Sequence, residues 1–114
     1  MIFAVATDEK SLHVFPAAAA AVAYCEGIDV QAGSWLFWDR NGAALQPEFL
    51  VPNQQGRFVV ASGTYRLVRA AGPAASLGER LAGIEVIEGN PYFSSLAAIE
   101  AHLAAAAAMF PKGP

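Results

Sequence analysis

The chain has 114 residues, a net charge of −3 and one cysteine. That length suits a single domain, residues 1–114. The mild negative charge argues against nucleic acid or an anionic membrane surface as partner, and a lone cysteine excludes an intramolecular disulfide. Charged residues make up only 15%, and two alanine runs (17–21 and 104–108) inflate the hydrophobic fraction of 55%. Such a surface either exposes many alanines or hides part of itself against a partner.

Residues 2–7 and 12–15, separated by the polar Asp8-Glu9-Lys10, predict an N-terminal hairpin. His13 is expected at a solvent-facing strand position. Pro16 suits a helix start, and the alanine-rich segment 17–26 predicts a helix with Gly27 as its C-terminal cap. Its narrow stripe of Ala18, Ala21, Val22 and Cys25, bordered by Tyr24, predicts close approach to a sheet. Residues 28–32 are expected to be a connection.

Segment 34–39 places Trp35 and Phe37 on one face of a strand and Leu36 and Trp38 on the other. Both faces are apolar, which predicts a central strand covered at least partly on both sides. Asp39-Arg40-Asn41-Gly42 is a turn signal. Pro47 in the return strand predicts a sheet edge or a bulge. Two more strand-like segments, 57–61 and 64–69, flank Ser62-Gly63, which fits either a hairpin or a bulge in one long strand. Ser76 and Glu79 fit a capping box for a short helix. Residues 84–88 predict a last edge strand. Ser94 or Ser95 is expected to cap the longest helix, 96–109, with Leu96, Ile99, Leu103, Ala106 and Phe110 as its apolar stripe.

This order predicts an α+β fold: an antiparallel sheet of about five or six strands, built as a meander plus an N-terminal hairpin, with two main helices packed on one face. The expected core includes Val5, Val22, Leu36, Phe49, Phe58, Val60, Leu67, Leu96, Ile99 and Leu103.

Catalytic chemistry finds little footing. Cys25 falls near the buried face of an alanine helix, and no spacing brings His102 to it, so a core cysteine is the expectation. His13, His102 and Cys25 have no metal-ligand spacing, and no glycine-rich phosphate loop is present. No cofactor, metal or enzymatic activity is expected. The opening residues lack a basic region and meet Asp8 and Glu9 at once, which argues against a signal peptide and for a cytoplasmic protein.

Charge is segregated. Residues 1–52 carry six acids against two bases, and residues 53–80 carry four bases against one acid. Arg57 and Arg66 on adjacent strands could share an outer face with Trp38 and Tyr65, an Arg-plus-aromatic composition typical of protein interfaces. Asp29, Asp39 and Glu48 would steer this face toward a basic partner.

Tyr24-Cys25-Glu26-Gly27-Ile28-Asp29, Trp35-Leu36-Phe37-Trp38-Asp39 and the later Ser62-Gly63-Thr64-Tyr65-Arg66-Leu67-Val68 resemble a group of small bacterial proteins. The likeness covers roughly residues 1–70. That group is similar to the cytoplasmic immunity proteins that neutralise contact-delivered or secretion-delivered toxins. The resemblance implies a non-enzymatic protein-binding module and carries no catalytic motif. The alternatives are a homodimer through the same face, and a small-molecule-binding or accessory domain using the aromatic sheet face.

Overall fold

A computed structural model describes residues 1–56 and 60–109. The strands are β1 (Ile2–Ala6), β2 (Ser11–Phe15), β3 (Trp35–Asp39), β4 (Ala44–Val51), β5 (Gln54–Gln55), β6 (Val60–Ala61), β7 (Thr64–Arg69) and β8 (Val86–Ile87). The helices are α1 (Ala18–Tyr24), α2 (Gly27–Gln31), α3 (Leu77–Arg80), extended by a 3₁₀ turn over Leu81–Gly83, and α4 (Leu96–Met109). Six strands form one sheet in the order β7-β4-β3-β1-β2-β8, and β5 pairs with β6 in a separate ribbon. Every pairing is antiparallel except β2 with β8. The fold is therefore α+β with a mostly antiparallel sheet.

β3 sits centrally because both of its faces find cover. Phe3, Val5, Leu12 and Trp38 form one core with Leu77, Leu81, Ile84 and Ile99, under α3 and α4. Ile2, Ala4 and Phe37 form the other with Ala21, Cys25, Val30 and Tyr65, under α1 and α2. Each large side chain buried this way contributes about 1.5–3 kcal/mol. The helices thus divide between the two faces rather than sharing one. The alternating apolar positions of β1 and β3 demand this, since a sheet apolar on both sides must be covered on both.

Local chemistry sets the ends of several elements. Asp39 Oδ1 accepts the N–H groups of Asn41 and Ala43, closing the β3–β4 turn, and Gly42 takes φ +83° there. That glycine packs within 3.0 Å of Leu103, measured from where a Cβ would sit, and its carbonyl accepts the Leu77 N–H, so the turn docks both α3 and α4. Ser76 and Glu79 form a reciprocal capping box, and Ser95 Oγ accepts the Ala98 N–H at the start of α4.

Gly27 opens α2 instead of capping α1. Its place is fixed from across the chain: Asn53 Nδ2 donates to the Gly27 carbonyl at 2.9 Å, and a Cβ at Gly27 would lie 2.6 Å from Asn53 Oδ1. Residues 28–32, expected as a connection, are largely this helix.

Pro47 lies where β4 has left β3, whose pairing with it covers only Phe37↔Leu45 and Trp38↔Ala44. Its missing N–H therefore breaks no ladder toward β3. A register shift between Phe49 and Val51 adds a bulge. Ser62 and Gly63 are not a hairpin, since β6 pairs with β5 and β7 with β4. Of the expected core, Val5 and Ile99 are buried, and Val22, Leu36, Phe49, Leu67, Leu96 and Leu103 pack partly buried against the two clusters. Val60 is 72% exposed, and its strand β6 belongs to the separate two-stranded ribbon rather than to the six-stranded sheet. Phe58 and Phe110 lie outside the described residues.

Candidate functional site

Register across the N-terminal strands decides which aromatic rings meet. Ala4 pairs with both His13 and Phe37, Ala6 with Ser11 and Trp35, and Ile2 with Phe15. His13, Phe15 and Trp35 therefore emerge on the face covered by α1. The small side chains Ala4 and Ala6 between them leave room for the rings to approach. Tyr24, the last residue of α1, completes the group. Its neighbour Cys25 is pulled fully into the core, while Tyr24 itself stays 60% exposed.

Trp35 meets two of these rings edge to face, while His13 and Phe15 lie nearly parallel, 6.3 Å apart. The His13 and Trp35 centroids lie 4.9 Å apart at 71°, and those of Tyr24 and Trp35 5.9 Å apart at 82°. Tyr24 also lies 5.7 Å from His13 and 5.5 Å from Phe15. Such tilted pairs satisfy the ring quadrupoles. Buried Ser11 holds the imidazole, its Oγ 3.2 Å from His13 Nε2 in a hydrogen bond. Burial lowers the His13 pKa, with Glu88 and Glu9 opposing, which favours the neutral ring.

Two shallow depressions flank this cluster. One, of about 290 Å³, is lined by His13, Tyr24 and Trp35 together with Asp8, Glu9 and Asp29. The other, of about 270 Å³, shares His13 and Tyr24 and adds Phe15 and Glu88. The only ion pairs among the described residues are Lys10–Glu85 and Arg66–Glu48, so these four carboxylates have no ionic partner there. The result is a surface on which aromatic rings and acidic residues lie side by side.

The sequence-predicted site is largely dismantled. Trp38 is 2% exposed in the α3/α4 core, where its Nε1–H donates to the Ala75 carbonyl at 2.9 Å. Tyr65 is 5% exposed in the opposite core, its hydroxyl donating to the Cys25 carbonyl at 2.6 Å. The two rings lie on opposite faces because Trp38 and Phe37 alternate along β3, and the Phe37–Leu45 side continues through Phe49 to Tyr65. They cannot share an outer patch. Arg66 is exposed, but Glu48 on the facing strand engages it through Nε at 2.8 Å and through Nη2. Asp39 is consumed by its turn. Arg57 lies outside the described residues. Asp29 alone reaches the aromatic–acidic depression, from the first turn of α2.

His13, Phe15, Tyr24 and Trp35 were missed as a group. The signal that could have found them is the β1–β2–β3 register, with alanines opposite aromatics. Cys25 is a core residue as expected: burial, and secondarily Asp29, push its thiol up to about 12, which leaves it unreactive at neutral pH. Among the described residues, no group of three His, Cys, Asp or Glu side chains could hold a metal, and no helix is long and apolar enough to cross a membrane.

A larger depression, about 810 Å³, lies elsewhere, between the β3–β4 turn, the end of β7 and α4, with Asn41, Arg69 and Ser76 as its polar lining. No protein-family model, no curated protein and no solved structure matches the chain.

Proposed function

We propose that this protein is a non-enzymatic protein-binding module that acts in the cytoplasm as an immunity-type inhibitor, neutralising a basic bacterial toxin. The observation that carries the reading is the aromatic–acidic face: Tyr24 and Trp35 stand beside Asp8, Glu9, Asp29 and Glu88 at an open surface. Aromatic anchors ringed by uncompensated carboxylates suit a basic partner, for which charge steers encounter and apolar contact holds the complex. An inhibitor needs only to cover the toxin's active site, over a standard interface of about 1,600 Å².

Affinity capture from the native host, with reading of the adjacent gene, tests this. The expected partner is a basic protein whose association slows steeply with salt and weakens on Asp8→Asn, Glu9→Gln and Asp29→Asn. Co-expression should relieve that partner's toxicity. Self-association through this face in light scattering, or a partner indifferent to salt and to the three substitutions, contradicts the proposal.

A second reading is small-molecule binding or an accessory role. The depression lined by Asn41, Arg69 and Ser76 favours it, since its volume suits a metabolite. Thermal shifts across a metabolite panel that disappear on Arg69→Ala would support it, and the absence of any shift counts against it.

A further inference from the structure

We infer that the depression walled by His13, Tyr24 and Trp35 is a subsite for one cationic side chain, lysine or arginine, presented by the protein partner; the inference rests on the binding face proposed above. Three independent features converge there. First, Tyr24 and His13 each stand nearly perpendicular to Trp35, at 82° and 71°. Rings set that way offer π faces and edges from different directions around one small volume, instead of a single slot for a flat ring. A cation over such faces is drawn in by the ring quadrupoles.

Second, Asp8 and Glu9 come from the β1–β2 turn and Asp29 from α2, so carboxylates converge on the same volume from separate elements. No lysine or arginine lines it, burial disfavours the charged form of its one histidine, His13, and none of the three acids is ion-paired among the described residues. A cation arriving there supplies the missing charge, whereas a neutral group would partly dry the carboxylates and leave them unpaired. Third, the open depression of about 290 Å³ has room for the end of one side chain. The adjoining depression sets Val14 and Phe15 beside Glu88, so an aliphatic stem can lie along the two apolar residues.

Trp38 supplies an internal control, because it lies in the same strand but in the opposite core. The full-length ¹⁵N-labelled protein is titrated with N-acetyl-lysine methylamide, N-acetyl-arginine methylamide and the neutral N-acetyl-norleucine methylamide, following the two indole N–H signals. The cationic probes should move the Trp35 signal and leave that of Trp38 in place, and norleucine should move neither. Tyr24→Ala should weaken the cations about fivefold. Asp29→Asn and Glu9→Gln should weaken them and flatten their salt dependence. An unshifted Trp38 signal in each variant verifies the fold.

Equal shifts from norleucine, or no shift of Trp35 with any probe, overturn the inference. So does tighter binding of tetramethylammonium than of either side-chain probe, which reassigns the subsite to a free small cation. A basic partner that needs Asp8, Glu9 and Asp29 while the probes leave Trp35 unmoved overturns the subsite alone. Cationic probes that bind while no basic protein partner exists overturn the proposed function alone.

Discussion

Trp35 and Trp38 stand three residues apart in one strand and live in different worlds. Trp38 is sealed under α3 and α4, packed beside Leu77, Leu81 and Ile99, with its one polar atom satisfied by Ala75. Trp35 is half-buried beside α1 and opens onto an acid-rimmed depression. The strand treats both alike; the covering helices do not. The fourteen-residue α4 contributes Leu96, Ile99 and Leu103. The seven-residue α1 is nearly all alanine, lies close to the sheet and ends at Tyr24. Beyond its last turn the short α2 adds only Val30 to the core on that face, and Tyr24 stays exposed beside the half-buried Trp35. A sheet apolar on both faces can thus seal one face fully and leave aromatic rings partly exposed at the end of the other.

The sharpest way to break this contrast is by truncation. Trp38→Ala should cost about 3–5 kcal/mol in chemical denaturation, from lost burial and the cavity left behind. Trp35→Ala should cost only about 1 kcal/mol, as for a partly exposed position. Equal losses would mean that the two faces are energetically the same.

Next come the polar ties that hold the α1/α2 face. Tyr65→Phe removes the hydroxyl bonded to the Cys25 carbonyl and leaves that carbonyl unsatisfied. Asn53→Ala strands the Gly27 carbonyl and the Gly63 N–H, which Asn53 serves at 2.9 and 2.7 Å. Each should cost about 1–3 kcal/mol. A change below about 0.5 kcal/mol at either position would place that tie in water's reach and out of the stability balance.

A smaller effect is electrostatic. His13 is held below its ordinary pKa, chiefly by burial. Protonation therefore costs more in the folded chain than in the unfolded one. The stability from neutral His13 is fully present above the ordinary histidine range near pH 6.5 and is lost as pH falls through the folded value. His13→Gln should flatten thermal stability between pH 7 and about 5, and an unchanged slope would remove His13 from this role. The smallest effect belongs to Glu48 and Arg66. Both are substantially exposed, so Glu48→Gln should cost under about 1 kcal/mol despite the close contact.

Much of this was legible in the chain itself, where chemistry is local. The β1–β2 hairpin, the two-faced β3, the Ser76 capping box and the serine cap of α4 each follow from residues within a few positions of one another. What was not legible depends on distant partners. Gly27 looks like a helix cap until Asn53, twenty-six positions on, claims its carbonyl and turns it into a helix start. Trp38 and Tyr65 look like surface anchors by residue type, yet the β3–β4–β7 register sends them to opposite cores. The aromatic group at His13, Phe15, Tyr24 and Trp35 draws on β2, α1 and β3, and only the pairing of β1 with both strands brings it together. Asp29, marked from charge alone, lines the depression beside Tyr24 and Trp35.

Among the described residues Leu50, Val51 and Val60 stand more than half exposed and form a rival apolar surface. The decisive measurement is therefore the affinity of the captured partner for Trp35→Ala, set beside Leu50→Ala, with circular dichroism confirming both folds. Recognition at the aromatic–acidic face predicts that Trp35→Ala weakens binding by about thirtyfold or more, as for an interface anchor, while Leu50→Ala leaves it unchanged. Unchanged affinity in Trp35→Ala, with binding lost in Leu50→Ala, would contradict it.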